Sequence, residues 1–240
     1  MCELSTVEIV QTSSEAMLII ECNDEANWYM DWMPTENTIW YRPLTQDFND
    51  KLWNYNLSNK WSTTISTIWW IKGALFSNAL TSWLYHDNIP IPTWNSAKTI
   101  NLRMYPTSYN TSEEDAIFIW NWWSYNQSRI IYNINPLSFS QWWWSVSSSN
   151  NIELNKRTNV IISTNWNDIY MYINWQQVKT WTLSINTQWN KIAIWFWRQQ
   201  NDDSAHRFIW YINRVILEKI FRSSTDANQY FTKMKWKYWY

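Results

Sequence analysis

Glycine is almost absent. The 240-residue chain has one, Gly73, where average usage would give roughly 17. Histidine is nearly as scarce: His86 and His206 are the only two, far apart, with no Cys or acid at metal-ligand spacing, which leaves no support for a zinc site or a catalytic triad. Cys2 and Cys22 both lie in the first segment and define neither a disulfide framework nor a metal site. Charge is sparse too, at 16% of residues with a net −1, so there is no electrostatic case for nucleic acid or an anionic membrane. Long apolar runs are missing; "AMLII" at 16–20 is about the longest, well short of a membrane span. The opening "MCELSTVEIVQ" lacks the basic and apolar regions of a signal peptide.

Tryptophan stands in contrast, with 24 residues. Twenty-four Trp plus one Gly make 25, close to an ordinary glycine complement with a few genuine tryptophans. The contexts point the same way. "TNWND" (Trp166), "INWQQ" (Trp175), "KTWTL" (Trp181), "TQWNK" (Trp189) and "NWWSY" (Trp122 and Trp123) set Trp beside Asn, Ser, Thr and Gln. Glycine belongs in such turns because it reaches left-handed backbone conformations without a steric penalty. "QWWWSVSSSNN" (141–151) is an aromatic cluster as written and a flexible loop if glycine is read. These observations lead to the expectation that most of the tryptophans stand for glycine. Translation under the wrong genetic code would do this, since one variant code reads UGA as Gly and another as Trp. The competing reading is a Trp-rich protein with aromatic glycan platforms or a membrane-interface belt. Strain at Trp166, Trp175 and Trp210 is the expected signature, on the order of 1–3 kcal/mol wherever φ > 0 is required.

Hydrophobic periodicity gives the fold class. "NDIYMYINWQQVKTW" (167–181) alternates Ile169, Met171 and Ile173 with Tyr170 and Tyr172, then restarts after Asn174-Trp175. Two period-2 runs separated by two residues predict a hairpin, and its favoured turn needs φ > 0 at both central positions. Further strands are predicted at 64–68, 73–80, 97–105, 115–120, 129–134, 158–164, 168–174, 176–183, 190–196 and 206–218. A short helix is expected at 225–231, with Ser224 or Thr225 as N-cap and Asp226 in the first turn. Residues 1–37 hold both cysteines and the acids Glu21, Asp24, Glu25, Asp31 and Glu36, and read as an N-terminal extension or the remnant of a preceding domain. Residues 38–240 read as one all-β domain, a two-sheet antiparallel β-sandwich.

With glycine read for tryptophan, the order of motifs resembles laminin-G-like domains of the concanavalin A-like lectin/glucanase group. "NVIISTNWNDIYMYINWQQVKTW" is similar to that group's strand–hairpin signature, its Asn-Gly falling on Asn174-Trp175. "NKIAIWFWRQQ" and "HRFIWYINRVILEKIFRSSTDANQYF" are similar to the closing pattern, with Trp195 and Trp210 at its glycines. "YRPLTQDFNDKLWNYNLSNKW" (41–61), "WWIKGALFSNAL" (69–80) and "AKTINLRMYPTS" (97–108) resemble the opening strands. Two departures stand out: Thr158-Asn159 where the group often has an aromatic and histidines, and Ile212-Asn213-Arg214-Val215 where it often has acids. The resemblance implies a concanavalin A-like jelly roll and an extracytoplasmic, cell-surface or virion setting.

Catalysis has little support. Hydrolysis of a glycosidic bond needs two carboxylates about 5–5.5 Å or 6.5–9.5 Å apart across the bond. "SEEDAIF" (112–118) alternates Glu113 and Asp115 with no third acid, and reads as a solvated loop entering a strand. The resemblance brings in calcium, which many of the group hold through Asp, Asn and backbone carbonyls. Asn201, Asp202 and Asp203, or Asp47, Asn49 and Asp50, are the runs that could hold it, although an Asx turn accounts for each. The expected function is a non-catalytic recognition or adhesion module for glycan or protein, within a larger surface or virion protein. The alternatives are a divergent glycoside hydrolase or lyase and a ligand-free structural module. Ligand contact is expected in loops 121–128, 141–151 and 198–206, from Tyr125, Asn201, Asp202, Asp203 and His206.

Overall fold

The structure, a computed structural model, describes residues 4–11, 16–22, 38–43, 58–60, 64–68, 71–76, 83–87, 96–107, 117–120, 128–134, 136–141, 144–182, 191–194 and 210–234. The chain divides into two compact units, Met1–Met33 and Pro34–Tyr240. The first contains an antiparallel hairpin of β1 (Leu4–Gln11) and β2 (Ala16–Cys22). Within β1, Val7 and Ile9 alternate with Thr6 and Glu8, the period-2 pattern of a strand.

The second unit is an all-antiparallel β-sandwich with one short helix. A seven-stranded sheet runs in the order β12 (Trp144–Ser147), β11 (Leu137–Gln141), β10 (Ser128–Ile134), β9 (Ile117–Trp120), β16 (Lys191–Ile194), β7 (Trp83–Asp87), β4 (Ser58–Lys60). The eight-stranded sheet runs β15 (Gln176–Thr182), β14 (Asp168–Ile173), β13 (Thr158–Asn165), β8 (Lys98–Pro106), β17 (Trp210–Glu218), β6 (Ile71–Phe76), β5 (Thr64–Ile68). Its eighth strand, β3 (Thr38–Pro43), pairs with the second half of β17. Among the described residues no helix is long and apolar enough to cross a membrane.

Register explains the core. Ile100, Leu102 and Met104 of β8 share one face with Val160 and Ile162 of β13, Met171 of β14, and Val215 and Leu217 of β17. All are buried, each contributing about 1.5–3 kcal/mol by leaving water. Simple alternation would place the opposite face in solvent, yet Thr99, Asn101, Asn159, Ser163 and Glu218 are buried as well. The segment following β17 lies over part of that face. Thr99 Oγ1 donates to the Ile220 carbonyl (2.8 Å), and the Arg222 amide donates to Ser163 Oγ (2.7 Å). The Tyr170 and Phe221 rings lie 4.9 Å apart. Strands buried on both sides can thus carry polar residues, provided those residues find partners.

Helix α1 (Ser224–Met234) follows directly. Its cap is Ser223, not Ser224 or Thr225 as expected: the Asp226 amide donates to Ser223 Oγ (3.2 Å), and the Ser223 amide to Asp226 Oδ2 (2.7 Å). This reciprocal pair is a capping box with Asp at its third position. The stretch 141–151 also differs from the flexible loop expected. It supplies β12, with Val146 inward opposite Phe139 and Ser145 and Ser147 outward. Beyond the strand, the Leu137 amide donates to the Asn150 carbonyl at 3.1 Å, tying the segment down. Serine at alternate positions mimics a linker composition while obeying strand periodicity.

Candidate functional site

The expected ligand residues, Tyr125, Asn201, Asp202, Asp203 and His206, lie outside the described residues, as do Glu113, Asp115, Asp47, Asn49 and Asp50. His86 is placed, in β7 opposite Ile192 and partly exposed. No three His, Cys, Asp or Glu come together among the described residues.

The carboxylates with described side chains serve the fold. Glu218, fully buried, accepts from Arg222 Nε at 3.0 Å and Nη2 at 2.5 Å. Asp226 caps α1, Asp168 accepts from Thr182 Oγ1 at 2.8 Å, and Glu153 pairs with Lys156 on the surface. Each of these carboxylates is thus engaged by a cationic, hydroxyl or backbone N–H partner within the fold.

What sequence reasoning did not single out is the outer end of β14 and β15. Thr182 and Trp181 pair with Asp168 and Ile169, which brings the end of β15 to the turn that carries Trp166. Trp166 is 73% exposed and Trp181 49%. Lys179 Nζ sits 5.3 Å from the Trp181 ring centre, within cation–π range. On the other side of the strand, Gln177 Nε2 donates to Thr180 Oγ1 at 2.9 Å. Edge position explains the exposure, because β15 ends the eight-stranded sheet and its residues alternate without an apolar side. As written, this strip offers rings to stack on and amides and hydroxyls to hydrogen-bond. It also corrects one expectation: Trp181 sits inside a strand, not in a turn.

The two tight turns behave as expected. Ile173 pairs with Gln176, so Asn174-Trp175 is a two-residue hairpin loop, with φ of 46° and 67°. Positive φ at both central residues is the type I′ pattern, whose second position is typically glycine. Asn174 ties this loop to β13: its amide donates to the Asn159 carbonyl (2.8 Å), and its Oδ1 accepts from the Asn159 amide (2.9 Å). At the opposite end of β14, Asn165 pairs with Asp168 around Trp166-Asn167. Only Trp166 there has positive φ, 54°, which is the pattern of a type II′ turn with glycine first. Trp210 differs from expectation. It opens β17, a strand position paired with Phe76 and Pro106, not a turn. Trp175 differs in another way, its ring being buried at 4% exposure.

No family model matches the chain, and no curated protein matches it. Solved structures do match in fold. Domain 4 of AbnA, an extracellular arabinanase of Geobacillus stearothermophilus solved with arabinotriose, aligns with TM-score 0.62 at 11% identity, over 81% of this chain and 98% of that one. The binding domain of botulinum neurotoxin DC, solved with rat synaptotagmin II, aligns with TM-score 0.61 at 15% identity, over 83% of this chain and 52% of that one. A Trypanosoma rangeli sialidase, solved as a covalent intermediate with a difluorosialic acid, aligns with TM-score 0.59 at 11% identity, over 84% of this chain but 33% of the enzyme. The chain thus spans about half of the toxin domain and a third of the sialidase. At such identities the likeness is one of fold: this chain is similar to β-sandwich domains found in carbohydrate-active and toxin proteins.

Proposed function

We propose that the sandwich is a non-catalytic recognition module that binds a glycan or a protein surface, as one part of a larger surface or virion protein. One observation carries the reading. The fold is shared across nearly the whole length of an arabinanase domain solved with an oligosaccharide, while the described carboxylates here are engaged in capping and ion pairing. The laminin-G-like likeness belongs to the same proposal, since its motifs are read with glycine at Trp175, Trp195 and Trp210. Ligand contact is assigned to loops 121–128 and 198–206. Tyr125 and His206 supply stacking faces there, and Asn201, Asp202 and Asp203 supply hydrogen bonds to hydroxyls or ligands for a calcium ion.

A glycan array together with a reducing-sugar assay tests the proposal. Saturable binding without sugar release, reduced at least tenfold by the combined change Asn201→Ala, Asp202→Ala, Asp203→Ala and His206→Ala, supports it. Sugar release would replace it with a hydrolase. A second reading rests on the exposed strip at β15. If Trp166 and Trp181 are tryptophan in the native protein, that strip is the stacking platform, and Trp181→Ala would abolish binding while the loop variant would not.

A further inference from the structure

We infer that the native residues at positions 166 and 175 are glycine, inserted at UGA codons by a glycine tRNA that reads them. The inference stands whatever ligand the module takes. Four non-glycine residues have positive φ among the described residues: Asn155, Trp166, Asn174 and Trp175. Asparagine enters the left-handed region with a local side-chain hydrogen bond, as Asn174 does toward Asn159. Tryptophan has no such recourse, because its Cβ meets the carbonyl whatever rotamer the ring adopts. Burial of the Trp175 ring therefore does not relieve the backbone. Each of the two tryptophans falls on the one position of its turn type that glycine dominates, second in I′ and first in II′.

The tryptophans within described strands supply an independent observation. Trp83, Trp144 and Trp210 are first residues of their strands, and Trp120 is a last residue. Trp40 and Trp181 lie in β3 and β15, strands that pair on one side only. The interiors of the central strands β8, β13, β10 and β16 contain none. True tryptophan favours strand interiors, where its area packs, whereas glycine, which weakens a strand from within, is less costly at ends and edges. That distribution is not the one tryptophan's packing preference predicts.

The consequence concerns the translation apparatus. A cell that uses the standard code stops at the first UGA, so full-length protein requires a cell or host that supplies the glycine tRNA. Reading the gene's codons and expressing it unaltered in a standard-code host, with and without such a tRNA, tests this. The expected result is UGA at both positions, full-length product only with the tRNA, and peptides across 157–179 whose mass contains glycine at 166 and 175. UGG codons at these positions, or tryptophan masses in protein from the native source, would overturn the inference. A mixed outcome, with glycine at 166 and 175 and tryptophan elsewhere, upholds it for the two turns and leaves the exposed Trp181 as a genuine ring.

Discussion

Trp166→Gly is the sharpest probe of the turn argument, because the Trp166 ring is 73% exposed and its removal leaves no interior void. At φ 54° the Cβ–carbonyl contact costs about 1–2 kcal/mol. Glycine relieves that contact but adds unfolded-state freedom, offsetting about 0.4–1 kcal/mol. The net expectation is a gain of roughly 0.5–1 kcal/mol over the chain made as written. For a domain of this size that raises Tm by about 1–4 °C. Trp166→Ala is the control, since it deletes the ring but keeps the Cβ. Side by side, calorimetry of the three proteins should place the glycine variant highest and leave the alanine variant level with the starting chain. If alanine matches or exceeds glycine, the backbone is not paying a left-handed penalty at 166 and the argument fails.

Three further outcomes follow from the geometry. Asn174→Ala removes the acceptor of the buried Asn159 amide and a residue suited to φ 46°, and should cost about 2–4 kcal/mol in urea unfolding. Glu218→Ala removes the buried carboxylate that Arg222 Nε and Nη2 donate to, with Asp226 still acting on the guanidinium, and should cost up to about 3 kcal/mol, a large share of a typical domain's roughly 5–15 kcal/mol. Burial pushes the Lys98 ammonium from 10.5 down to about 8, so between those values the unfolded chain holds a proton that the folded chain has released. Stability should therefore rise across that window by up to about 3 kcal/mol, and Lys98→Met should flatten the rise. Tyr172, raised to about 12 mainly by desolvation, acts oppositely: the folded chain keeps its proton longer, so stability falls again above about pH 10.

Strands with clean alternation were legible in the sequence: 64–68 is recovered to the residue, and 158–164 and 168–174 to within one. Strands built from polar residues were not. Ser58–Lys60 contains no apolar residue, and Leu137–Gln141 and Trp144–Ser147 alternate serine with single large side chains, which composition reads as loop. Two-sided burial was hidden for a different reason. Thr99, Asn101, Asn159 and Ser163 look like a solvent face from period 2 alone. Ile220 and Arg222, more than fifty residues away in sequence, close over Thr99 and Ser163. Such long-range covering leaves no local signal. The candidate site divides similarly: both hairpin turns could be read from Asn174-Trp175 and Trp166-Asn167, whereas the exposed strip at β15 depends on which strand ends the sheet.

The identity of two dozen residues therefore decides where a ligand can bind. With tryptophan, the edge of β15 presents the only large exposed apolar side chains among the described residues, Trp166 and Trp181, and a sugar face would stack there beside Lys179. With glycine, the same edge keeps Gln177, Lys179, Thr180 and Thr182, which exchange hydrogen bonds with water at little net gain. Stacking area would then have to come from residues that are aromatic under either code, and Tyr125 is one of them. That is why the ligand is assigned to the loops and not to the strip. The proposed contacts Tyr125, Asn201, Asp202, Asp203 and His206 keep their chemistry however UGA is read, and ligand contact placed outside the core can vary without disturbing it.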